Sequence, residues 1–143
     1  MVFLCLLIGI AFFQPAQNLL KTGRIFFPDG RYLIVEIART EEQRGLGLMY
    51  RPFLAKDNGM LFVFEQELIQ KVWMKNTLID LDVVFISELG AVVSMLKGLK
   101  PCQQAVCEVY ASSQKAKYML EVNAGLVDKT GIRVGQTLVF EGL

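Results

Sequence analysis

Short apolar runs separated by brief turn-like breaks follow one another from Ile25 to the carboxyl end, a spacing that is typical of β proteins. The first break, Pro28-Asp29-Gly30, lies between residues 25–27 and Tyr32–Ala38. Because Asp-Gly favours a tight turn, these two runs are predicted to form an antiparallel hairpin. Further strands are predicted at residues 60–64, 71–76, 82–87, 91–95, 118–122 and 137–140.

Helical signals are few and short. Thr40 and Gln43 have the spacing of a capping box, so a helix of about two turns should follow and end near Gly45 or Gly47. Residues 125–130 are expected to form one or two helical turns that end at the next glycine. We therefore predict a mainly β fold: a compact antiparallel barrel-like or sandwich domain with one or two short helices.

The amino end has a different character. Residues 1–13 are an unbroken apolar run, too short to span a bilayer and followed by Gln14, Pro15 and the small residue Ala16. This pattern is typical of a signal peptide, although no Lys or Arg precedes the run, and a buried strand or helix is the alternative. We predict a leader at residues 1–17, a linker at 18–24 and one domain at 25–143. The protein is then exported to the periplasm or secreted, or is anchored by an uncleaved leader.

Two cysteines, Cys102 and Cys107, remain after the leader. An even pair in an exported domain is read as a disulfide, and the short loop it closes would contribute about 2 kcal/mol. Two thiols do not complete a zinc site. No metal and no cofactor are predicted.

Composition removes several function classes. The chain of 143 residues contains no histidine, which excludes Ser-His-Asp triads, Cys-His pairs and HExxH zinc sites. Fifteen basic and 14 acidic residues give a net charge of +1, so no nucleic-acid partner is predicted. We assign no catalytic residue. The expected partner is an unknown small ligand or a component of the envelope, with membrane contact only through the leader.

Several motifs, in this order, resemble domain-of-unknown-function family 192, whose members are small, mostly β domains of bacteria and archaea. The most specific are Trp73-Met74-Lys75-Asn76-Thr77 and residues 118–125 (YMLEVNAG). The remaining matches are residues 35–38 with Thr40, 44–49 with Arg51, 59–64, 79–82, 85–86, 101–102 and 131–135. The resemblance covers the chain from about Tyr32 onward. It implies a β fold and, because the family commonly follows an export signal, supports the leader; it implies no activity.

The run 73–77 contains the first group of candidate ligand-binding residues. On a strand, Trp73 and Lys75 point to one face and Asn76 to the other. An aromatic ring, a cation and an amide could line a small polar pocket. In the alternative interpretation Trp73 is part of the core, and Asn76 with Thr77 fixes a turn.

Asp80 and Asp82 form a second group. On a strand both carboxylates lie on one face, where they could act as an acid–base pair or hold a divalent cation. Alternatively, one aspartate binds backbone N–H groups and the other pairs with Arg or Lys.

Arg44, Arg51, Glu121 and Asn123 form a third group. Glu121 and Asn123 share a strand face opposite the apolar face of the same strand, so Arg44 or Arg51 is the expected partner of Glu121. Such a cluster would bind a ligand or lock the barrel mouth.

Three functions are consistent with these residues. The first is an exported, non-enzymatic ligand-binding module, and the second is an accessory component of an envelope complex. The alternative is a carboxylate-dependent hydrolase that acts on a carbohydrate or an envelope polymer, for which histidine is not needed.

Overall fold

The computed structural model describes residues 20–143; the predicted leader therefore lies outside the described residues. Nine strands and two short helices follow one another in this part of the chain. They are β1 Thr22–Phe26, β2 Tyr32–Ala38, α1 Glu41–Leu46, β3 Asn58–Leu68, β4 Lys71–Trp73, β5 Leu81–Ile86, β6 Val92–Leu99, β7 Val109–Ala111, β8 Ala116–Asn123, α2 Leu126–Thr130 and β9 Val139–Glu141.

Seven strands form one sheet in the order β6-β5-β8-β3-β2-β1-β9, and β4 pairs with β7 in a small second sheet. The two edges of the large sheet meet at one end, where the N–H of Val92 donates to the carbonyl of Gln136 at 2.8 Å. Ala91 and Thr137 form an isolated bridge at the same place. The sheet is thus barrel-like without full closure, and the predicted mainly β fold with two short helices is confirmed.

One pairing differs from the antiparallel prediction: β2 and β3 run parallel. Parallel neighbours need a crossover of a dozen or more residues, and residues 39–57, which include α1, supply it. The capping box is present, because Thr40 Oγ1 accepts from the N–H of Gln43 at 3.1 Å while Gln43 Oε1 accepts from the N–H of Thr40. The sequence predicted this helix but not the direction of the strand that follows it.

Two cores lie on opposite faces of the large sheet. The first contains Ile25, Val35, Val84, Leu120 and Leu138, so it includes residues from central strands of the large sheet and from segments near both of its edges. The second core covers the other face. It contains Leu48, Met60, Val72, Met74, Val83 and Met119. Strand β8 alternates between them, as its sequence predicts, and β4 is packed against the second core.

Several predicted boundaries change. Thr22–Arg24 of the predicted linker belong to β1, because Gly23 pairs with Val35 and extends the hairpin. The strand predicted at 71–76 ends at Trp73, where its pairing with β7 ends, and Asn76 adopts a left-handed conformation with φ +53°. Strand β7 was not predicted from the sequence.

The predicted Cys102–Cys107 disulfide is present, with its Cα atoms 6.0 Å apart. Lys75 forms a bridge with Cys102, which fastens the disulfide loop to the segment after β4. Neither helix within residues 20–143 is long and apolar enough to cross a membrane.

Candidate functional site

A cleft of about 300 Å³ lies between α1, β4 and the face of the large sheet that carries the second core. The apolar residues that line it include Phe62, Phe64 and Met119. Four residues predicted to bind ligand also line it: Arg44, Trp73, Lys75 and Glu121. Its volume is at the lower end of the range for small-molecule sites.

Trp73 lies on the wall of this cleft and not in the core. Its neighbours in the chain, Val72 and Met74, are buried, whereas 45 % of Trp73 is exposed. The amino group of Lys75 lies 5.3 Å from the centre of the indole ring, within range of a cation–π interaction. The alternative that placed Trp73 in the core is therefore wrong.

Arg44 is held at the cleft by the end of α1. Its guanidinium donates to the carbonyl of Arg39 and, at 3.1 Å, to the carbonyl of Val63. It also lies 5.5 Å from the ring centre of Phe64. These contacts fix a positive charge beside an aromatic surface.

Glu121 is 5 % exposed and lines the cleft from β8. Its cross-strand partners, Met60 and Val83, are both apolar. No hydrogen bond or ion pair engages its carboxyl within residues 20–143. Burial in this environment raises the pKa of Glu121 to about 8, so the side chain is mostly neutral at pH 7.

The predicted ion pair between Glu121 and Arg44 or Arg51 is wrong. Arg51 pairs instead with Glu36 of β2, its Nη2 atom 2.8 Å from Oε2. The two terminal nitrogens of the guanidinium, Nη1 and Nη2, both donate to the carboxylate, and this hydrogen bonding raises the pKa of Arg51 above its usual value. Arg51 does not line the cleft.

Asn76 and Thr77 form the turn that the alternative interpretation predicted. The N–H of Asn76 donates to the carbonyl of Cys102 at 3.0 Å, and its Nδ2 donates to the hydroxyl of Tyr50 at 2.9 Å. Asn76 therefore holds two loops together beside the cleft without lining it. Thr77 is buried and lines the cleft.

Asp80 and Asp82 lie outside the cleft and have separate structural contacts. Asp80 is half-buried and pairs with Lys100. Asp82 is buried and accepts from the N–H groups of Gly98, Gly125 and Val127 at 2.9, 2.9 and 3.1 Å. The structural alternative for this pair thus describes both residues. Within residues 20–143 no group of three Cys, Asp or Glu side chains has the arrangement of a metal site.

Asn123 lines a second cleft of about 350 Å³, apart from the first. Its Nδ2 donates to the carbonyl of Leu54 at 2.8 Å, so it anchors the crossover loop before β3. Asn123 and Glu121 share a strand face as predicted, but they serve different clefts.

Sequence reasoning missed three of the residues that line the first cleft: Glu41, Phe64 and Lys71. Lys71 could have been found, because it precedes Trp73 and Lys75 by two and four positions on the same strand face. Glu41 and Phe64 depend on the crossover that places α1 over the sheet. The charged residues at the cleft are three cations, at positions 44, 71 and 75, and Glu41, besides the buried Glu121.

Solved structures with this fold are available from two bacteria. A protein from Sinorhizobium meliloti 1021, provisionally described as a transcription regulator, is 37 % identical, with a TM-score of 0.75, over 86 % of this chain and 95 % of its own. A protein of unknown function from Novosphingobium aromaticivorans DSM 12444 is 26 % identical, with a TM-score of 0.74, over 88 % and 89 % of the two chains. No curated protein matches the chain.

The family DUF192, described as uncharacterized ACR, matches residues 25–140. That range contains both cores, the disulfide and every residue of the first cleft. The resemblance seen in the motifs is thereby confirmed, and the chain belongs to the DUF192 family.

Proposed function

We propose that this protein is an exported, non-enzymatic module that binds a small ligand in the cleft between α1 and β4. The observation that carries the proposal is the exposure of Trp73, a large aromatic residue that covers a cleft instead of filling the core. Exposed aromatic rings beside a few polar groups are typical of ligand sites.

Binding explains the cleft better than hydrolysis does. A carboxylate-dependent hydrolase needs two carboxyl groups that flank the scissile bond. Asp80 and Asp82, the expected pair, are engaged by Lys100 and by backbone N–H groups outside the cleft. The two carboxyl groups that do line the cleft lie at different depths, because Glu121 is buried and Glu41 is in the exposed first turn of α1. Envelope accessory function would use a protein partner, and a defined cleft favours a small ligand instead.

The transcriptional role suggested for the Sinorhizobium relative has little electrostatic support here. The net charge of this chain is +1, whereas DNA-binding surfaces concentrate basic residues.

Isothermal titration calorimetry tests the proposed site with three probes of one shape: 4-phenylbutyrate, 4-phenylbutanamide and 4-phenylbutylamine. At least one should bind saturably, and Trp73→Ala should weaken that binding about 5- to 150-fold, the equivalent of lost aromatic stacking. Phe53→Ala is the matched control, since Phe53 is 75 % exposed and lies outside the cleft. Absence of binding by all three probes would reject the cleft as this kind of site.

The proposed export is supported by the apolar leader pattern and by the disulfide, because disulfides persist in oxidising compartments. Amino-terminal sequencing of the protein recovered from its producing cell tests it. We expect a mature chain that begins near residue 17. A chain that begins at Met1 and remains in the cytosol would refute export without affecting the proposed binding site.

A further inference from the structure

The first cleft combines a positive rim with an uncharged base. Arg44, Lys71 and Lys75 contribute three positive charges to its lining, and Glu41 contributes one negative charge. Glu41 is in the exposed first turn of α1. The summed charge of these four side chains therefore favours an anion over a cation.

Two of the cations have restricted positions. Arg44 is held by backbone carbonyls, and Lys75 lies against the ring of Trp73. A charge that is already positioned loses little side-chain freedom when a ligand binds, which increases its value in recognition. Lys71 is exposed, so its long side chain can turn toward an anion in the cleft.

The base of the cleft contains Glu121, which is buried without a countercharge among the described residues. An ionised carboxylate there would repel an anionic ligand and would keep little of its hydration. A protonated carboxyl instead has one O–H donor, which can bind an anionic oxygen in a charge-assisted hydrogen bond. The raised pKa of Glu121 is consistent with this state near neutral pH.

We infer that the cleft takes a small organic anion with an apolar body, and that the protonated carboxyl of Glu121 donates a hydrogen bond to the anionic group. The apolar body would lie against Trp73, Phe62 and Phe64. This inference rests on the proposed function and specifies the class of ligand for the same site.

The inference requires binding to weaken as Glu121 ionises. Its strand neighbours on β3 and β5, Met60 and Val83, do not titrate. The other titratable groups that face the cleft are Glu41 and Arg44 from α1, and Lys71 and Lys75 from the β4 segment. Glu121→Gln separates the contribution of Glu121 from that of these four groups, because the variant removes only the carboxyl of Glu121.

The experiment measures the affinity of the three phenylbutyl probes from pH 6 to pH 9. We expect 4-phenylbutyrate to bind most tightly at pH 6 and to bind about tenfold more weakly at pH 9, because the proton on Glu121 is then mostly lost. Glu121→Gln keeps an N–H donor that does not titrate, so its affinity for 4-phenylbutyrate should be independent of pH. Glu88→Gln, an exposed control outside the cleft, should retain the wild-type pH dependence.

Two results would overturn the inference while leaving the proposed binding site intact. One is tighter binding of 4-phenylbutylamine than of 4-phenylbutyrate, with affinity that increases with pH, which would make Glu121 an anionic site for a cation. The other is 4-phenylbutyrate binding whose pH dependence is the same in Glu121→Gln and wild type. Failure of all three probes to bind would reject the proposed function and the inference together.

Discussion

Glu121→Gln should stabilise this protein, and the gain should increase with pH. Burial raises the pKa of Glu121 from 4.5 to about 8 in the folded protein. Between these two values the unfolded chain has released the proton while the folded chain still holds it. The unfolded state then binds fewer protons, so the free energy of unfolding of the wild type decreases as pH rises through this window. Glutamine has nearly the same shape and no proton to lose.

The pKa difference sets the size of the effect. At about 1.4 kcal/mol for each pH unit, the gain of Glu121→Gln is about 1 kcal/mol at pH 5, about 3 kcal/mol at pH 7 and about 4 kcal/mol at pH 8. Above pH 8 the folded form also ionises and the gain levels off. At pH 7 the melting temperature should rise by roughly 10 °C.

Urea denaturation of wild type and Glu121→Gln at pH 5, 6, 7 and 8 measures this gain directly. Glu88→Gln, which changes an exposed carboxylate, should show a small and nearly constant difference from wild type. If the difference between Glu121→Gln and wild type is the same at pH 5 and pH 8, the carboxyl is not held neutral by burial and the reasoning is wrong.

Three further predictions concern single contacts. Trp73→Ala should lower the melting temperature by less than 10 °C, because a half-exposed ring contributes less to stability than the roughly 3–5 kcal/mol of a buried one. A larger decrease, measured by thermal unfolding, would show that Trp73 is packed as a core residue. Asp82→Ala should lower the free energy of unfolding by about 3 kcal/mol in chemical denaturation, since it leaves three backbone N–H groups without their acceptor. Asp80→Ala, which removes only a surface ion pair, should lower it by less than about 1 kcal/mol, and equal losses would contradict the assigned contacts. Cys102→Ser should lower the free energy of unfolding by about 2 kcal/mol, because it removes the loop-closure constraint of a disulfide that joins cysteines five residues apart. An unchanged urea midpoint would refute that contribution.

The local part of the fold could be predicted because its signals lie within a few residues of one another. The Asp-Gly turn, the capping box of Thr40 and Gln43, and the alternation in β8 each depend on neighbours in sequence. The parallel pairing of β2 with β3 depends instead on how a 19-residue crossover packs, and periodicity carries no information on strand direction. Strand β7 is only three residues long and mostly exposed, so it has little apolar alternation to detect.

In the candidate site too, contacts between residues close in sequence could be predicted and contacts between distant residues could not. Trp73 and Lys75 could be paired from strand period alone, and the structure places them together. The partner of Arg51 could not be predicted, because Glu36 and Glu121 lie on different strands and both are carboxylates of suitable reach. Asp82 was a candidate for chemistry because two of the N–H groups that donate to it, those of Gly125 and Val127, lie more than 40 residues away in the sequence.

The strand order also sets when this chain can fold during its synthesis. Strand β8 lies between β5 and β3 in the large sheet, and β9 pairs with β1. The centre of the sheet therefore cannot assemble until residues 116–123 have left the ribosome, and β1 gains its outer neighbour only with residues 139–141. Distant pairings of this kind slow folding. A nascent chain that must remain unfolded to be threaded through a narrow translocation channel would gain time from this arrangement.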